Sequence, residues 1–108
     1  MSYKLIATPT FNKGLKRLLK KFNSLKDEYA NLLDELQKNP TLGTPISDNC
    51  YKIRLAITSK GKGKRGGARV ITHIIVDNET IYLLNIYDKS EQTNVTDKEL
   101  QQLLKDLR

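Results

Sequence analysis

Residues 50–76 read CYKIRLAITSKGKGKRGGARVITHIIV. The first nine residues alternate. Tyr51, Ile53, Leu55 and Ile57 fall on one side of an extended chain, and Lys52, Arg54, Ala56 and Thr58 on the other, which is the two-residue period of a β-strand. SKGKGKRGG cannot continue that pattern, because its glycines favour a loop. ARVITHIIV then carries apolar residues on both faces, as a central strand does. Two strands around a glycine-rich loop make a hairpin, and this hairpin organises the chain. It holds seven lysines and arginines and no acidic residue.

Working outward, DNET (residues 77–80) is a turn and IYLLNIYDK (residues 81–89) a third strand, giving an antiparallel meander. Toward the N-terminus, YKLIATP is a short strand ended by Pro9. Phe11, Leu15, Leu18, Leu19 and Phe22 recur at helical spacing, with Lys13, Lys16, Arg17, Lys20 and Lys21 covering the remaining surface. Leu25, Tyr29, Leu32, Leu33 and Leu36 repeat the pattern in a second helix, for which Ser24 is the expected cap and Asn39-Pro40 the stop. So short a break between two helices predicts an antiparallel hairpin. TLGTPISDN is read as a connector. Thr96-x-x-Glu99 has the form of a capping box before a last helix with the stripe Leu100, Leu103, Leu104 and Leu107. The expected architecture is one α+β domain over residues 1–108, in the order β-α-α-β-β-β-α. A core of this size needs no disulfide.

Charge is organised in blocks. Residues 1–26 hold seven basic and no acidic side chains, residues 27–50 one basic and five acidic, and residues 51–76 seven basic and none acidic. The total is +7. Such a field suits a polyanionic or acidic partner. The single cysteine and the lack of a signal-peptide pattern predict a cytoplasmic protein, and no apolar run is long enough for a membrane partner.

One histidine and one cysteine argue against a metal centre built from those residues and exclude a nuclease that uses two histidines. His73, inside a strand, reads as a partly buried histidine. Gly61 to Gly66 matches GxGxxG, but it precedes a strand instead of a helix, so no dinucleotide site follows. What remains is a loop whose Lys60, Lys62, Lys64 and Arg65 are either solvated charges or contacts to phosphate. Closing the hairpin would gather Lys52, Arg54 and Arg69 at one end of the sheet, where arginines can clamp a phosphate. Tyr87 and Lys89 on the third strand extend that group with a stacking or proton-donating ring and another cation.

CYKIRL, GKGKRGGARVI and LLNIYDKSE resemble the RelE/HigB group of bacterial toxins, over nearly the whole chain. The resemblance implies a ribosome-dependent endonuclease that cleaves mRNA in the A site by attack of the 2′-hydroxyl, without a cofactor or metal, and that is silenced by a cognate antitoxin. It assigns Lys52 and Arg54 to the 2′-hydroxyl and scissile phosphate, Arg69 to phosphate charge, and Lys89 to a candidate acid. Some relatives supply a late tyrosine. None occurs after residue 87 here, so Tyr87 or no tyrosine serves. The same reading gives Lys60, Lys62, Lys64 and Arg65, with Lys13, Lys16 and Lys20, to the ribosomal RNA backbone. Two alternatives stand beside it: a ParE-like gyrase poison of the same fold, and a non-catalytic RNA-binding module.

Overall fold

The computed structural model describes residues 3–60 and 66–107. The order is β1 (Lys4–Ala7), α1 (Pro9–Lys21), α2 (Leu25–Lys38), β2 (Thr44–Pro45), β3 (Cys50–Leu55), β4 (Ala68–Ile75), β5 (Thr80–Asp88) and α3 (Asp97–Lys105). A single 3₁₀ turn, Thr58–Lys60, leaves β3. The strands form one sheet ordered β1-β5-β4-β3-β2. The meander β3-β4-β5 is antiparallel as expected. β1 joins β5 in parallel and makes the sheet mixed. β4 lies in the middle, which accounts for apolar residues on both its faces.

The expected helical stripes close one face of the sheet. Phe11, Leu15, Leu18 and Phe22 from the first helical segment, and Leu25, Leu32 and Leu36 from α2, join Ile53, Val70, Ile74, Ile81, Leu83 and Ile86 in one buried cluster. The Phe11 and Tyr29 rings meet across the two helices, with centroids 5.8 Å apart. Gly14 allows α1 to lie directly on β5, since a methyl there would come within 2.9 Å of the Ile86 carbonyl oxygen. The opposite face has a smaller cluster of Cys50, Ile71, Leu84, Tyr87 and Leu100, covered by α3. Thr96 and Glu99 form the full capping box at the start of α3.

Two local expectations change. Ser24 makes no side-chain cap, because its own backbone is already helical (φ −77°, ψ −16°). Its hydroxyl donates to Glu28 Oε1 and accepts from the Ser59 amide, which anchors the 3₁₀ turn to α2. The connector before β3 contains β2, which pairs with Tyr51 and Lys52 through a tight turn at Asp48 and Asn49, both with positive φ. Among the described residues no helix is long and apolar enough to cross a membrane.

Candidate functional site

Register decides which cations meet. Arg54 is the cross-strand partner of Arg69, and Arg69 of Tyr87. Directly paired residues share a face, so Arg54, Arg69 and Tyr87 form one row across β3, β4 and β5. Lys52 lies on the same face two residues along β3, opposite Ile71. This is the face capped by α3. The opposite face is filled by the larger apolar cluster.

The row grades from open to closed. Arg54 is exposed and Lys52 half-buried. Arg69 is 5 % exposed and Tyr87 4 %. Arg69 Nη1 donates to the Ala68 carbonyl at 3.1 Å. Burial, and then the Arg54 guanidinium, press the Arg69 pKa below the usual arginine value, while Tyr87 opposes them. Two like charges on adjacent strands favour an arriving anion. Burial pushes the Tyr87 phenol above its ordinary pKa; Arg69 pulls it down and Glu99 adds to the rise. The phenol therefore stays protonated at neutral pH, and its hydroxyl has no hydrogen-bond partner among the described residues.

The segment between β5 and α3 runs beside this row. Lys52 Nζ reaches Asn94 Oδ1 at 3.4 Å, and Lys89 Nζ donates to the Thr93 carbonyl at 2.9 Å. Lys89 is thus held at the edge of the face instead of within the row. Asn94 and Thr93 carry no signal in the sequence that would have marked them as neighbours of the cations.

The loop and helix cations divide. Lys60 does not present its charge outward: it bonds the buried Asp88 carboxylate, the Gly66 carbonyl and Ser90 Oγ. Lys62, Lys64 and Arg65 lie outside the described residues. Lys13, Lys16 and Lys20 are exposed on α1, away from the Arg54–Arg69–Tyr87 row because α1 covers the opposite face. His73 is half-buried with Nδ1 3.5 Å from Cys50 Sγ. Burial pushes the Cys50 thiol up to about 12, with Asp48 adding to it, so the sulfur is no nucleophile at neutral pH. Among the described residues no three His, Cys, Asp or Glu side chains gather in a way that could hold a metal ion.

The model of the family described as the RelE toxin of the RelE/RelB toxin–antitoxin system matches residues 11–106. Among solved structures, a mutant of the E. coli toxin RelE in the free state is similar over 100 % of both chains, at 16 % identity and TM-score 0.62. The intact E. coli RelBE toxin–antitoxin complex matches at 17 % identity and TM-score 0.61, covering 81 % of this chain and 96 % of that one. A RelBE complex from Mycobacterium tuberculosis matches at 20 % identity and TM-score 0.59, covering 82 % of this chain and 99 % of that one. At these identities the structures establish a shared fold.

Proposed function

The chain belongs to the RelE toxin family of type II toxin–antitoxin systems, and from that premise we propose that it is a ribosome-dependent endonuclease cutting mRNA in the A site. The observation that carries this reading is the pairing of Arg54 with Arg69 and of Arg69 with Tyr87 in one row, with Lys52 beside it. RNA brings its own nucleophile. The 2′-oxygen attacks the adjacent phosphorus, the bond from phosphorus to the 5′-oxygen breaks, and the products are a 2′,3′-cyclic phosphate and a 5′-hydroxyl. Arg54 and Arg69 bind the non-bridging oxygens and hold the charge of the pentacoordinate state. Lys52 is the candidate to take the 2′-hydroxyl proton. Tyr87, protonated at neutral pH, is the candidate to return one to the leaving 5′-oxygen, with Lys89 as the other candidate.

No carboxylate–histidine pair supplies base and acid here. Holding the scissile bond in line then carries more of the rate, and orientation can contribute about 7–11 kcal/mol. A ribosome that fixes the mRNA would supply it. Lys13, Lys16 and Lys20 on α1, with Lys62, Lys64 and Arg65 of the loop, would contact ribosomal RNA backbone through sequence-independent electrostatics. The partner that silences the protein is a cognate antitoxin, whose acidic segment would cover the cation row or displace α3. The shallow seat of α3 favours displacement: a cleft of about 590 Å³ lies at its edge, between His73 and Tyr82 on the sheet and Gln101 and Leu104 on the helix.

Induced expression of wild type beside Arg69→Ala, read by growth and by mapping mRNA 5′ ends, tests the reading. Wild type should arrest growth with cuts at A-site codons, and the variant should lose both. DNA breaks with intact mRNA would establish a gyrase poison instead. RNA association with no cutting would establish a binding module.

A further inference from the structure

Asp88 is the one fully buried carboxylate among the described residues, and the proposed chemistry makes no use of it. It ends β5 between Tyr87 and Lys89. Oδ1 accepts from Lys60 Nζ, from the Ser90 amide at 3.0 Å and from Ser90 Oγ at 2.7 Å. Oδ2 lies 3.7 Å from Lys21 Nζ at the end of α1. Lys60 in turn spends all three ammonium donors, on Asp88, on the Gly66 carbonyl at 2.8 Å and on Ser90 Oγ at 2.9 Å. It leans over the Phe22 ring, 5.6 Å from the centroid. One ion pair therefore joins four pieces of chain: the end of α1, the two stems flanking residues 61–65, and the end of β5.

Those pieces carry the cation row. Gly66 and Gly67 lead directly into Ala68 and Arg69. The Lys89 amide donates to the Gly67 carbonyl, and Ala68 pairs with Asp88. Gly67 packs so closely on the carbonyl of Leu55, the residue after Arg54, that a methyl there would collide with it. As a stabilising device a buried ion pair is poor, because removing two charges from water offsets most of their attraction, and apolar replacements are often neutral or better. As a locating device it is strong, since all three Lys60 donors and Asp88 Oδ1 are committed to fixed partners from different segments.

We infer that Asp88 and Lys60 are positioning residues for the reaction, their ion pair setting the spacing of Arg54, Arg69 and Tyr87 that a phosphate must bridge. The inference rests on the nuclease reading. Positioning of this kind is worth much in rate and little in affinity: a misplacement of about 1 Å can cost about 10²-fold.

The test compares wild type, Asp88→Asn and the apolar double variant Lys60→Met/Asp88→Leu. Three quantities are read: the thermal midpoint, steady-state cleavage of mRNA over a range of programmed-ribosome concentrations, and the NMR signals of the Arg54 and Arg69 guanidiniums in the free protein. Asp88→Asn should lower kcat by about 10²-fold with KM little changed. The double variant should recover the thermal midpoint without recovering kcat, and both variants should shift the two guanidinium signals. Recovery of kcat together with the midpoint would reduce the pair to a structural role and overturn the inference, as would full cleavage by Asp88→Asn. If Asp88→Asn fails to fold, the double variant decides. If wild type leaves mRNA intact, the nuclease reading falls, and unmoved guanidinium signals would separately refute the positioning.

Discussion

The two faces of the sheet were built to different standards. The face under α1 and α2 holds fifteen buried hydrophobic side chains in one continuous cluster, with Thr72 and Asp88 buried beside them. The face under α3 holds five, one of them a tyrosine whose hydroxyl has no partner among the described residues, and it shares its surface with Lys52, Arg54 and Arg69. Stability resides on the first face. The second can therefore hold repelling cations and a thin cover at an energy that would unfold a protein with only that core. The folding free energy of a domain is small, so such a division has consequences that can be measured.

The largest effect should come from emptying the first face. Phe11→Ala removes a fully buried ring packed on Tyr29 and should cost about 3–5 kcal/mol in chemical denaturation. Leu104→Ala on α3, half-buried, should cost about 1 kcal/mol. Equal losses would break the contrast between the faces. Next comes Gly67→Ala, which forces β3 and β4 apart beside the Arg54–Arg69 pair. Overpacking there should cost about 1–3 kcal/mol, with a larger proportional loss of cleavage than Leu104→Ala.

Acid titration sharpens the comparison further. Burial raises the Asp88 pKa, but the bonds from Lys60 and Ser90 outweigh it and hold the group down at about 2, against an ordinary 3.8. A carboxylate depressed in the folded state contributes stability that is full above its unfolded pKa and is lost as pH falls through the folded one. The stability difference between wild type and Asp88→Asn should therefore stay level above about pH 4 and shrink by about 2 kcal/mol as pH falls toward 2. A difference that stays flat across that window would remove Asp88 from the network. An effect as small as that of Leu104→Ala should follow Thr96→Ala, which deletes the cap of α3. It should cost about 1 kcal/mol and speed hydrogen exchange of the Glu99 and Leu100 amides before that of any other helix.

Local pattern carried most of this organisation into the sequence. The alternation of CYKIRL put Lys52 and Arg54 on one face, and closing the hairpin brought Arg69 opposite Arg54. The helical stripes marked which face would be sealed. Long-range pairings left no such trace. Four residues of β1 cannot declare that they will lie parallel to β5, and two residues of β2, one a proline, have no period at all. Lys60 looked like its loop neighbours because its partner, Asp88, is 28 residues away. Asn94 and Thr93 read as ordinary connector residues, and only the return of the chain past β3 and β5 sets them against Lys52 and Lys89. Lys89 was legible as a cation on the third strand, but not its bond to the Thr93 carbonyl.

The central claim is that Arg54, Arg69 and Tyr87 act together on one phosphate. It is tested most directly with purified ribosomes carrying a defined codon in the A site, by following cleavage and the chemistry of the new ends. The account predicts a 5′-hydroxyl and a 2′,3′-cyclic phosphate from wild type, and a rate lower by about 10²–10³-fold for Arg69→Ala. Equal rates for the two proteins, or ends bearing a 5′-phosphate, would contradict it.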